Sequence, residues 1–190
     1  FTTEKGNINA PFKTAIKKRL EEIAVSSKAE DILVIFFAGH GALLSGQKNF
    51  YMLTAEASSL ELNGVEKEVA ISTDELNGWM RNIKANKQVL ILDACNSGQA
   101  TNIAQDIITK RDMPADQVRA LENLKDKTGT FILSASASGQ PAYEASQFGQ
   151  GLLTYSLLSG IKLGNGLKDD KYLDVSRWFN SASDQVRDLA

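Results

Sequence analysis

The chain holds one histidine and one cysteine, His40 and Cys95, so any chemistry that needs an imidazole or a thiol falls on these two. His40 stands between two glycines at the end of DILVIFFAGHG, residues 31–41. Cys95 stands near the end of QVLILDACNSG, residues 88–98. The two lie 95 − 40 = 55 positions apart. A thiolate is a strong nucleophile, and a neighbouring imidazole can take the thiol proton and deliver it to a leaving amine. Together they support acyl transfer. Glycine nearby allows a substrate to approach closely, and the backbone N–H groups of Gly41 and Cys95 are candidates for an oxyanion hole. One such donor contributes roughly 3–4 kcal/mol in known hydrolases.

Plainer readings exist for each residue alone. A single buried cysteine is most often a small core hydrophobe, and a histidine after a strand is often a hydrogen-bonded loop residue. Their shared setting favours the chemical reading. Residues 32–38 and 89–92 are unbroken apolar runs, as in strands of a parallel sheet covered on both faces. Strands of such a sheet all end on one edge, where ligands and catalytic groups gather. If the two runs are neighbours, with a helix over 72–83 in the crossover, His40 and Cys95 open onto one cleft.

The other elements fit that frame. Phe12, Ile16, Leu20 and Ile23 recur at helical spacing. Phe50 to Leu53 reads as a short strand and residues 56–70 as a loop or small hairpin. Ser72 and Glu75 have capping-box spacing, flanked by Ile71 and Leu76 as a staple. Leu76, Trp79, Met80 and Ile83 give a buried stripe, closed at Asn86-Lys87. Residues 131–133 form a third buried strand, residues 152–161 a helix, and 164–166 a turn. Val175, Trp178, Phe179, Ala182 and Val186 mark a terminal helix capped by Asp174. The alternation predicts an α/β domain with a mainly parallel sheet flanked by helices.

The totals exclude several classes. With 190 residues, 43% hydrophobic and 23% charged, the composition is that of one ordinary globular domain. A net charge of −2, with scattered basic residues, offers no footprint for nucleic acid. No apolar run approaches the ~18–20 residues that span a bilayer. One thiol allows no internal disulfide, which suits a reducing compartment such as the cytoplasm. One histidine and one cysteine supply a zinc site poorly, so no metal ligands are assigned and no cofactor is required. The chain starts at Phe1 without a leader pattern, as a trimmed piece of something longer would.

FFAGHG followed by LILDACNSG resembles the caspase-like (clan CD) cysteine peptidases, most closely the bacterial caspase-like and metacaspase branch. Caspases keep a similar interval between their histidine and cysteine. FILSASASGQPAYEAS and GQGLLTYSLLSGI are similar to the family's next strand, its Q-x-A-x-E tail and the following helix. The resemblance implies a caspase-like sandwich over residues 1–190: a large-subunit-like part (1–98), a linker (99–128) and a small-subunit-like part (129–190). It implies that His40 and Cys95 are the catalytic dyad. It matches Asp93 to the acid at the floor of the metacaspase S1 pocket, where caspases proper hold glutamine and prefer aspartate substrates. Physics agrees, since a partly desolvated carboxylate selects a cation, which gives arginine or lysine at P1 of a protein substrate. A carboxylate capping some nearby structure is the plainer reading of Asp93. Ser134, Ala135 and Ser136 match the segment lining the substrate groove, and Gln140 and Glu144 match motif positions without an independent role.

Two departures stand out. The family fold begins with a strand upstream of the first helix, and the chain starts after that point, so an upstream segment or fused domain is expected. After Leu53 the family usually shows Pro and Asp, whereas Thr54-Ala55-Glu56 stands here, which leaves calcium activation unsupported. The 99–128 stretch carries Lys110, Arg111, Arg119, Lys125 and Lys127, residues that an enzyme with an acidic S1 pocket would cut. Two other functions remain open. A non-catalytic caspase-like module binding or regulating a partner would not need both His40 and Cys95. A flavodoxin-like binding domain would need a glycine-rich phosphate loop between strand and helix, which is missing.

Overall fold

A computed structural model describes residues 1–2, 10–43, 49–57, 66–96, 131–134, 144–145, 150–169 and 171–189. In chain order these form α1 (Lys13–Ser26), β1 (Ile32–Leu43), β2 (Phe50–Leu53), α2 (Glu66–Val69), β3 (Ala70–Ser72), α3 (Thr73–Met80) and β4 (Lys87–Asn96). There follow β5 (Phe131–Ser134), β6 (Glu144–Ala145), β7 (Gln150–Gly151), α4 (Leu152–Lys162), β8 (Leu167–Lys168), β9 (Tyr172–Leu173) and α5 (Val175–Leu189). The expected linker, residues 99–128, lies outside the described residues.

The central sheet has the order β3-β2-β1-β4-β5. Strands β1, β4 and β5 are parallel neighbours, and β2 and β3 extend the sheet antiparallel beyond β1. The parallel pairing expected of the two apolar runs is present, in a sheet that is mixed as a whole. β4 is its centre: Val89, Leu90, Ile91 and Leu92 are all buried. Leu90 and Leu92 meet Leu20 of α1 and Leu76 and Met80 of α3 on one face. Val89 and Ile91, with Leu133, meet Leu153 and Leu157 of α4 and Phe179 of α5 on the other. An apolar run at every position is what a strand between two helix layers requires.

β1 departs from the expectation of cover on both faces. Leu33 is buried, with Ile35 and Phe37 packed against the α1 and α3 side. Ile32, Val34 and Phe36 on the opposite face are 62%, 56% and 49% exposed. The cause is the placement of α4 and α5, which cover β4 and β5 and stop short of β1. Phe131, at the start of β5, is likewise 47% exposed, so that strand is only partly buried.

Of the 56–70 stretch expected as a loop or small hairpin, residues 58–65 lie outside the described residues, residues 66–69 form a helical turn and Ala70 opens a strand. Ala70 and Ile71 are buried and pair with Leu53 and Met52, so the edge of β2 recruits them. The capping box is present: Ser72 Oγ accepts the Glu75 N–H at 3.2 Å, and Glu75 Oε2 accepts the Ser72 N–H at 3.0 Å. Lys13 Nζ lies 2.7 Å from Glu75 Oε1, so the box also fastens the start of α1 to the start of α3. α3 ends at Met80, earlier than the expected Asn86-Lys87. The buried Gln88 amide donates to the carbonyls of Met80, Ile83 and Ala85, satisfying the chain as it leaves the helix.

Glu56, in the segment that departs from the family pattern, has a structural task. Phe12 at the N-cap of α1 makes no side-chain cap bond, and Glu56 Oε2 accepts the Lys13 N–H at 2.7 Å instead. Asp174 caps α5 as expected, its Oδ1 accepting the Arg177 N–H at 3.1 Å. Among the described residues, no helix is long and apolar enough to cross a membrane.

Two outcomes follow from the α1–α3 junction. Ser72→Ala removes the hydroxyl cap and is expected to destabilise the chain by about 1 kcal/mol, read from urea unfolding at pH 7. Burial pushes the Glu75 carboxyl up, but its bonds to Lys13 and Ser72 outweigh that and leave it below its ordinary value of 4.5. A carboxyl whose pKa is depressed by folding stabilises the fold above its unfolded value and loses that contribution as the pH falls through its folded value. Stability is therefore expected to drop below about pH 4.5 in the wild type, and Glu75→Gln should flatten this limb.

Candidate active site

β1 and β4 run side by side in a parallel register that pairs Val34 with Val89, Phe36 with Ile91, Ala38 with Asp93 and His40 with Cys95. Neighbouring strands lie about 4.8 Å apart, so the backbones of His40 and Cys95 are adjacent across one ladder. Alternation along a strand places residues 89, 91 and 93 of β4 on the α4 and α5 face, and Cys95 is next in that series. The register puts His40 in the matching series of β1, with Val34 and Phe36. Both residues stand at the carboxyl ends of their strands, the edge at which the sequence places a cleft. His40 is exposed there.

The glycines around His40 have packing reasons. Gly41 pairs with Asn96 of β4 on one side and Met52 of β2 on the other. A Cβ on Gly41 would sit closer than 3.0 Å to three carbons of the buried Phe50 ring. Any side chain there would drive the β1–β2 hairpin away from its core residue. Gly39 is less constrained: its Cβ would meet the Phe37 ring at 3.3 Å. Gly41 therefore lies inside the sheet, between β4 and β2.

Asp93 is half-buried, and its carboxylate reaches across to the start of α4. Oδ2 accepts the Thr154 N–H at 3.3 Å and also the Thr154 hydroxyl. Gly151, the N-cap of α4, lies close against the same carboxylate: a Cβ there would be 2.9 Å from both Cγ and Oδ1, and closer still to Oδ2. Asp93 thus does the capping work that the plainer sequence reading allowed, for a helix 61 residues away. Glycine offers no side-chain acceptor at the N-cap, and the first turn of α4 carries no acid, so its N–H groups need an acceptor from elsewhere. That need is the signal by which Gly151 and Thr154, missed as site residues in the sequence, could have been found.

The groove residues are only partly placed. Ser134 ends β5 and pairs with Leu92, one strand beyond β4 at the same carboxyl edge. Ala135, Ser136 and Gln140 lie outside the described residues. Glu144 is in β6 as the register partner of Gly151, which brings its backbone to the glycine that supports Asp93.

A family model for the caspase domain matches residues 2–188. No curated protein matches the chain significantly. Among solved structures, a crystal structure of a Geobacter sulfurreducens protein is similar with a TM-score of 0.52 at 16% identity. The likeness covers 81% of this chain and 63% of that one, and at this identity it speaks for the fold alone. The matched span takes in the GHG and DAC motifs, both strands that carry them and the capped helix that follows, and so the chain belongs to the caspase-domain family.

Proposed function

We propose that this chain is a cysteine endopeptidase that hydrolyses peptide bonds after arginine or lysine, with Cys95 as nucleophile and His40 as its base. The register of His40 with Cys95 across β1 and β4 is the observation that carries the reading. In the reaction the imidazole accepts the thiol proton, and the Cys95 sulfur bonds to the scissile carbonyl carbon. The C–N bond then breaks as the imidazolium protonates the departing amine, leaving a thioester. Water, deprotonated by the same imidazole, hydrolyses the thioester and restores the thiol. The Cys95 N–H is the candidate donor to the carbonyl oxygen as its charge develops.

The preference for a basic P1 residue rests on Asp93. It stands in the same β4 series as Cys95, two residues earlier, on the face that α4 approaches. Its carboxylate is half-buried, where attraction to a cation is stronger than in bulk water. Oδ2 is engaged by α4, and no bond to Oδ1 is found among the described residues. Substrate recognition thus has one carboxylate oxygen to use.

Cys95→Ala is expected to abolish cleavage of a fluorogenic arginyl peptide, and His40→Ala to reduce it at least about a thousandfold, as for members of other nucleophile–base pairs. An arginyl chloromethylketone should label the wild type at Cys95 and leave Cys95→Ala unlabelled. Unchanged turnover in Cys95→Ala overturns the reading, whereas a wild type that neither cleaves the peptide nor takes the label leaves the non-catalytic module in its place. The same specificity extends to residues 99–128: wild-type protein is expected to cut itself there on incubation, while Cys95→Ala stays whole on a denaturing gel. Two intact chains would refute self-processing.

A further inference from the structure

α4 starts without a cap of its own. Gly151 has no side-chain acceptor, and Leu152, Leu153 and Thr154 follow, so the acceptor comes from Asp93 on a different element. The way it is supplied is asymmetric. Both donors of Thr154, its N–H and its hydroxyl, converge on Oδ2, and Oδ1 takes no hydrogen bond among the described residues. A carboxylate normally turns freely about its last torsion, which is broad and roughly two-fold. Here two donors hold one oxygen, and Gly151 packs so close that a Cβ on it would come within 2.9 Å of Cγ and Oδ1 and nearer still to Oδ2. These contacts restrain the group's rotation and make its two oxygens unequal.

That inequality matters for recognising a cation. A guanidinium gains most from a carboxylate when both oxygens accept in parallel, whereas an ammonium is a point charge satisfied by one. A carboxylate with one oxygen held elsewhere treats the two alike. We infer that Thr154 is a positioning residue for P1 recognition: it clamps Oδ2 of Asp93, presents Oδ1 alone to the substrate cation, and so sets a narrow preference between arginine and lysine. The inference rests on the proposed reading of Asp93 as the P1 acceptor.

The test compares arginyl and lysyl fluorogenic peptides that differ only at P1, on the full chain. Thr154→Val removes the hydroxyl and keeps the branched shape. Expected are a KM for the lysyl peptide raised on the order of tenfold and a smaller rise for the arginyl one, because the released carboxylate can turn to meet the guanidinium with both oxygens. The arginine-to-lysine ratio of kcat/KM should therefore rise severalfold, while kcat stays within about twofold. Thr154→Ser, which keeps the hydroxyl, should restore the wild-type ratio. Should the valine variant fail to fold, Thr154→Ala is read in the same way. A lowered melting temperature with an unchanged ratio, or a serine variant that behaves like valine, would overturn the inference and leave Thr154 a helix cap only. If the wild type cleaves neither peptide, or Asp93→Asn leaves its P1 preference unchanged, the reading beneath it fails. A wild type that cleaves both, with an unmoved ratio in Thr154→Val, refutes the positioning role alone.

Discussion

The chemistry proposed for this molecule depends on the register between β1 and β4. Because side chains alternate with a period of two, a slip of one residue would set His40 against Ala94 or Asn96 and turn it to the other face from Asp93. The hydrogen-bond ladder does not choose among registers by itself. The choice is made lower in the sheet, where Leu90 and Leu92 fit between α1 and α3, and Val89 and Ile91 fit beneath α4 and α5. Apolar packing several residues below the strand ends is thus what sets His40 and Cys95 side by side on neighbouring strands. The histidine contributes nothing to that packing and stands exposed at the rim.

Features carried by local pattern were legible in the sequence. The buried β4 run, its parallel pairing with β1, the Ser72–Glu75 box and the Asp174 cap all follow from spacing or composition, and each is present. Features carried by a distant partner were not. A continuous apolar run reads alike whether one face or both are covered, so the bare side of β1 at Ile32, Val34 and Phe36 was invisible. The early end of α3 depends on the Gln88 amide reaching back to three carbonyls, and β3 forms because β2 offers it an edge. The site divides in the same way. The positions of His40 and Cys95 were readable from two strand ends, while the contact of Asp93 with Thr154 joins residues far apart in sequence.

The residues around the site show how one residue type serves different ends. Gly41 is small because the Phe50 ring fills the space its side chain would need, and Gly151 is small because a carboxylate lies on it. Neither requirement is conformational, since a positive φ is confined to Gly164 among the described glycines. Both serve close approach, in one case of core to strand and in the other of helix to acid. Thr54 and Glu56, where the family pattern breaks, are likewise occupied, with Glu56 standing in for the cap that Phe12 cannot give to α1.

If the chain works as proposed, Asp93 also bears on how it could change its taste in substrates. The group proposed to read P1 is at the same time the anchor of a neighbouring helix, so on that reading the two duties share one side chain. A lineage that exchanged this acid for a neutral residue to accept other substrates would loosen α4 in the same step. Drift in specificity from this sequence should pass first through positions 151–154, where a substitute cap for the helix can arise and set the acid free to vary.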